Sequence, residues 1–129
     1  MVEGARWQLL AALDSIPDGG LGFAYPRGGS TEYGILVRTA AGVAAFRNVC
    51  RHLQVRLDRT DPGRFLTSDR RWLVCGEHGA RYRADDGVCV AGPCVGSVLH
   101  SLPLRICDGR VFLDIGALPD PFSTSPVPP

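Results

Sequence analysis

Apolar residues in this chain arrive in short runs. They fill positions 7–13, 21–25, 33–38 and 43–46, with turn formers between them: Pro17-Asp18-Gly19-Gly20 after the first, Ala41-Gly42 before the last. Runs this short, bounded by Gly, Pro and Asp, predict strands, because a helix needs roughly ten or more residues of 3.6-residue periodicity. Further strands are expected at 71–74, 98–106 and 110–115, and residues 58–71 read as an extended hairpin. The last two long runs meet at Cys107-Asp108-Gly109, where Asp-Gly is a strong signal for a two-residue hairpin turn. The pattern predicts an all-β fold. An antiparallel sandwich or barrel base is built from both ends of the chain, and a subdomain of brief strands and Gly-rich loops, about residues 49–96, is inserted into it.

Composition limits what such a chain can be. At 129 residues it supports one domain, residues 1–116, with a modest core and no room for a separate catalytic domain. From residue 117 onward the character changes. Five of the last eleven residues are proline, so residues 117–129 are expected to be a flexible Pro-rich tail that cannot pair in a sheet. Net charge is +1, and no clustered basic face suggests nucleic-acid binding. Residues 7–13 are too few, and too soon broken by Asp14 and Pro17, for a signal peptide or membrane span, so the expectation is a soluble, cytoplasmic protein with no membrane partner.

The chemistry sits in two pairs of residues. Cys50-Arg51-His52 and Cys75-Gly76-Glu77-His78 each offer one thiolate and one imidazole. In extended backbone, residues i and i+2 project to the same side, so Cys50 and His52 can reach adjacent metal ions. In the second pair, Gly76 and Gly79 allow a tight turn close to an inorganic group. A [2Fe-2S] centre with two sulfur ligands on one iron and two imidazoles on the other needs two such mixed loops. Structural zinc also uses two Cys and two His, but groups like with like, as C-x-x-C and H-x₃₋₅-H.

At these residues the chain resembles the Rieske family, whose pattern is C-x-H followed, after a spacer, by C-x-x-H-G, an aromatic residue and a proline loop. His78-Gly79-Ala80-Arg81-Tyr82, Asp86-Gly87 and Gly92-Pro93 extend the resemblance. It implies one [2Fe-2S] cluster per chain, with Cys50 and Cys75 on the inner iron, His52 and His78 on the outer, reducible one, and Ala80, Tyr82, Gly92 and Pro93 around them. High-potential members of the family carry a disulfide between the loops, where this chain has Val55 and Glu77, and a serine donor where it has Ala80. The family's tyrosine survives as Tyr82. The resemblance thus implies a low-potential, ferredoxin-like protein.

A small domain with one cluster and no second cofactor motif has no independent catalytic site. The resemblance implies an electron carrier between a flavin-dependent reductase and a terminal oxygenase or similar oxidoreductase. The alternatives are a non-catalytic Rieske-fold subunit of a larger reductase, like that of nitrite reductases, and a zinc-stabilised interaction module. Cys89 and Cys94 flank the proline loop and could bond to each other, but in a reducing compartment they are expected to be small apolar packing residues; Cys107 is expected to be inert, and His100 to face solvent or fill a strand position. All 14 basic residues are arginine. Arg47, Arg51, Arg56, Arg59, Arg81 and Arg83 lie in or near the ligand loops, partly answered by Asp58, Glu77, Asp85 and Asp86, and could steer a redox partner.

Overall fold

The computed structural model describes residues 6–40, 42–51, 55–59, 62–67, 69–76 and 79–118. Among these residues, nine strands form three antiparallel sheets: β1 (Trp7–Ala12), β9 (Arg110–Asp114) and β8 (Leu104–Cys107); β2 (Leu21–Arg27), β3 (Ser30–Thr39) and β4 (Gly42–Arg47); β5 (Trp72–Val74), β6 (Arg81–Arg83) and β7 (Cys89–Ala91). Two short 3-10 turns, Leu13–Ser15 and Ile115–Ala117, complete the regular structure of the described residues. Among the described residues there is no α-helix, so the expected all-β architecture is observed. No helix among them is long and apolar enough to cross a membrane.

Burial explains why β3 is the central strand. Its residues 34–37 are all buried, as expected of a strand covered on both faces. Ile35 and Val37 pack with Phe46, Leu57, Leu73, Tyr82 and Leu99 on one side; Leu36 joins Tyr25, Ala45, Leu102, Val111 and Leu113 on the other. The first face meets the third sheet and the second meets β9, so β2–β3–β4 separates two hydrophobic clusters. Each fully buried Ile, Leu, Val or Phe among these side chains contributes on the order of 1.5–3 kcal/mol in transfer free energy.

The predicted Asp-Gly hairpin forms. Cys107 pairs with Arg110, and Asp108 and Gly109 adopt φ of 53° and 73°. Two successive positive φ values define the turn whose twist matches antiparallel strands.

Two expected elements are different in the structure. Of residues 98–106, only 104–106 are strand, in β8. Residues 98–102 are instead a strip stitched to two sheets, with Leu99 N–H donating to Gly87 O (2.9 Å), Leu102 N–H to Ala45 O (2.9 Å), and His100 O accepting from Arg47 N–H (2.8 Å). Pro103, with no N–H to give, separates this strip from β8. The described residues among 58–71 do not pair with one another as an extended hairpin. Their second half pairs forward onto β5: Leu66 bridges Leu73, Thr67 N–H donates to Trp72 O (2.9 Å), and Val74 N–H donates to Phe65 O (2.9 Å). Asp58 instead holds buried amides, as described below. The third sheet falls between β4 and β8 in sequence, within the segment expected as an insertion.

Candidate metal centre

Cys50 stands three residues beyond the end of β4, and local hydrogen bonds fix its position. Asn48 N–H donates to Tyr33 O (2.8 Å), which continues the pairing with β3, and Cys50 N–H donates to Val55 O (2.7 Å), which turns the chain back. Asn48 is buried. Its amide Nδ2 donates to Asp58 Oδ1 (3.0 Å), its Oδ1 accepts Leu57 N–H (2.8 Å), and Asp58 Oδ2 accepts Gly63 N–H (3.0 Å). A buried polar group is tolerated only when satisfied, and here each group satisfies another, clamping the two stems of the first loop.

Cys75 follows β5 directly. Its N–H donates to Ala80 O (2.9 Å) and its carbonyl accepts Gly79 N–H (3.0 Å), so the second loop folds back on itself. Gly76 N–H donates to Leu57 O (3.1 Å) and ties the second loop to the first. Cys50 and Cys75 are each 1 % exposed, lie in the same hydrophobic cluster, and neither is in a disulfide. His52 and His78 lie outside the described residues, as does Glu77.

Tyr82 reaches the first loop from β6. It sits in mid-sheet between Leu73 and Cys89, its two cross-strand partners, and all three side chains point inward and are buried. Its hydroxyl oxygen accepts Arg51 N–H (3.0 Å) and lies 3.5 Å from Cys50 Sγ and 3.1 Å from Cys94 Sγ. Burial first, then the bonds to Cys94 and Cys50, hold the phenol well above its ordinary pKa, so it keeps its proton and can donate it to sulfur.

The remaining residues singled out from the sequence frame this point. Ala80 is buried against Gly92, whose φ is +96° and where a Cβ would lie 2.8 Å from Ala80 Cα. Only glycine fits that approach, and it lets the exposed Gly92-Pro93 turn press on the second loop.

Sequence reasoning missed the Asn48–Asp58 clamp and the place of Cys94. Cys89 and Cys94, expected as packing residues, are not disulfide-bonded, and their sulfurs lie 3.1 Å apart. His100 does not simply face solvent: it is half-buried, with Nε2 3.0 Å from Arg51 Nη1. Burial, then the cations Arg51, Arg47 and Arg27, hold its pKa below the ordinary value, which favours a neutral ring accepting from Arg51. The arginines are also less uniform than a steering patch. Arg47 pairs with Glu32 (3.2 Å), Arg83 with Asp86 (2.8 Å), and Arg56 lies over the Tyr33 ring. Asp58, expected to answer the arginines, is engaged by backbone and side-chain amides.

The family described as Rieske [2Fe-2S] domain matches residues 6–104. No curated protein sequence matches the chain. Among solved structures, the terminal oxygenase of carbazole 1,9a-dioxygenase from Novosphingobium sp. KA1 superposes with a TM-score of 0.65 at 24% identity, over 90% of this chain and 31% of that one. The ferredoxin of carbazole 1,9a-dioxygenase from Nocardioides aromaticivorans IC177 gives 0.63 at 21% identity, over 84% of this chain and 97% of that one. A complex of reduced oxygenase and oxidized ferredoxin in carbazole 1,9a-dioxygenase gives 0.63 at 19%, over 84% of this chain and 92% of that one. The chain therefore spans about a third of the oxygenase and nearly all of the ferredoxin; at these identities the likeness is one of fold.

Proposed function

Because the chain belongs to the Rieske [2Fe-2S] domain family, we propose that it is a soluble, cytoplasmic one-electron carrier, with one [2Fe-2S] cluster held by Cys50, His52, Cys75 and His78 in a subdomain of about residues 49–96. The observation that carries this reading is the convergence of Cys50, Cys94 and the peptide N–H of Arg51 on the protonated Tyr82 hydroxyl. A buried phenol beside a loop cysteine suits a thiolate that must hold iron and gain a hydrogen bond as negative charge builds on it. The cluster, when bound, supplies a site that gains and loses one electron.

The chain's own residues do the rest. Asn48 and Asp58 hold the first loop, Gly76 joins the second to it, and Leu57, Leu73 and Leu99 exclude water from the cysteine side. The ferredoxin of similar fold is matched over nearly its whole length, and a related ferredoxin is seen in complex with its oxygenase. Those likenesses support a carrier that delivers electrons to a terminal oxygenase or similar oxidoreductase, and we infer a flavin-dependent reductase as its donor. The absorption spectrum and the iron and sulfide content of the purified protein test this. A red-brown protein with two irons and two sulfides per chain is expected; a colourless or zinc-containing protein would remove the carrier reading.

The same geometry sets the expected potential. Rieske potentials span roughly −150 to +300 mV, and donors to sulfur raise them by stabilising the reduced cluster. With Ala80 in place of a serine and no disulfide between the loops, the midpoint is expected in the lower half, below about +75 mV. Tyr82→Phe should lower it by removing the hydroxyl 3.5 Å from Cys50 Sγ, and Ala80→Ser should raise it. Protein-film voltammetry reads both; no shift in either variant would show that another term, such as the surrounding arginines, sets the potential.

A further inference from the structure

Cys89 and Cys94 are not part of the proposed ligand set, yet they touch its hydrogen-bonding. Cys89 opens β7 and Cys94 lies just past the Gly92-Pro93 turn. The backbone between them is closed at both ends: Cys89 N–H donates to Ser97 O (2.8 Å), Gly96 N–H to Cys89 O (3.1 Å), and Ser97 donates through both N–H (3.0 Å) and Oγ (2.7 Å) to Cys94 O. That loop brings the two sulfurs to 3.1 Å. A disulfide needs about 2.05 Å, so the sulfurs must converge by only about 1 Å. Cys89 is buried and its thiol donates to Ala91 O (3.3 Å); Cys94 is partly exposed, with Pro93 and Val95 beside it exposed.

Tyr82 makes this pair consequential. Its oxygen already accepts Arg51 N–H, and its single proton can go to Cys50 Sγ at 3.5 Å or Cys94 Sγ at 3.1 Å. A Cys94 thiol can donate its own proton to the Tyr82 oxygen, which leaves the phenol proton for Cys50. A Cys94 sulfur in a disulfide has no proton and can only accept, so it competes with Cys50 for the phenol proton.

We propose that Cys89 and Cys94 form a reversible dithiol–disulfide pair, oxidised by low-molecular-weight disulfides, whose closure draws the Tyr82 hydroxyl away from Cys50 and lowers the cluster's affinity for an electron. The proposal rests on the reading of Cys50 as a cluster ligand. In the first step the accessible Cys94 sulfur attacks the small disulfide; a Cys94 mixed disulfide forms and one small thiol leaves. Cys89 sulfur then attacks Cys94 sulfur, the bond to the second small thiol breaks, and that thiol leaves. The two cysteine protons end on the two released thiols, and the two electrons reduce the incoming disulfide. Closure would make the carrier harder to reduce when the surrounding thiol pool is oxidised.

The test uses iron-loaded Cys107→Ser protein, which removes the exposed third thiol, with its visible spectrum confirmed before treatment. It is equilibrated anaerobically with glutathione and glutathione disulfide at stepped ratios. Intact mass, peptide mapping in denaturant and film voltammetry are then read on the same samples. A loss of two mass units, a Cys89–Cys94 cross-linked peptide, a retained cluster spectrum and an electron-binding constant reduced about five-fold, the worth of one modest hydrogen bond, are expected. Cys94→Ala in the same background should neither cross-link nor respond to glutathione disulfide in the voltammetry. A lasting glutathione adduct on Cys94, no reaction at all, or a cross-link with an unchanged electron-binding constant would overturn the proposal. A starting protein without colour would instead sink the cluster reading itself, and the coupling with it.

Discussion

Replacing Cys50 or Cys75 with serine is expected to give protein with no cluster, whether isolated from cells or after reconstitution with iron and sulfide. Both side chains are almost fully enclosed and stand at the heads of loops joined through Gly76 and Leu57. A serine oxygen is a poor partner for iron that favours soft thiolate, and one lost ligand leaves the other three unable to hold two irons. Without the cluster the loops lose the group that organises them, because metal binding and local folding are coupled. The base should survive, since the cluster of Tyr25, Leu36, Ala45, Val111 and Leu113 contains neither cysteine. Far-UV circular dichroism should therefore keep its strand signal while iron and sulfide fall to background. A full complement of iron in either variant would overturn the ligand assignment.

Asn48→Ala should destabilise the fold strongly. The substitution strands Leu57 N–H and one oxygen of the Asp58 carboxylate in a buried position. Each buried group left unsatisfied costs on the order of 1–3 kcal/mol, and more when charged, so about 3 kcal/mol is expected. For a domain of this size that is a fall of about 10 °C in Tm, read by calorimetry on the apoprotein. Asn48→Asp should be as damaging, because it sets two carboxylates face to face. Adding Asp58→Asn to it should recover much of the loss, since the new amide can donate to the carboxylate introduced opposite it while its oxygen still accepts Gly63 N–H. A double-mutant cycle with no coupling would show that the contact contributes nothing of its own.

The strands of the base were legible because they are short apolar runs separated by polar and turn-forming residues, and β1, β2, β3, β4 and β9 lie close to where that pattern puts them. Cys107-Asp108-Gly109 was legible for a different reason: a turn needing two positive φ values narrows the residue choice. What failed depended on partners distant in sequence. Residues 98–102 have a strand's composition, but their backbone groups are used one at a time by Gly87, Ala45 and Arg47. β6 and β7 are three residues each, too short to show a period. The proposed ligand pairs are read from spacing alone. Their surroundings were not legible, because Asn48 meets Asp58 only through the turn between them, and Tyr82 meets Cys50 across 32 positions. Cys94 carried one usable signal, its place directly after Gly92-Pro93, which looked no different from that of a packing residue.

Iron ligation by nitrogen as well as sulfur is the defining property of the proposed centre. Pulsed EPR on the dithionite-reduced protein, with histidine alone labelled with ¹⁵N, tests it directly. Two distinct histidine-nitrogen couplings that change with the label are expected, and His52→Ala and His78→Ala should each abolish or convert the signal. A cluster signal without histidine-nitrogen coupling, which would indicate sulfur-only ligation, or a protein with no paramagnetic iron after reduction, would rule out the proposed centre.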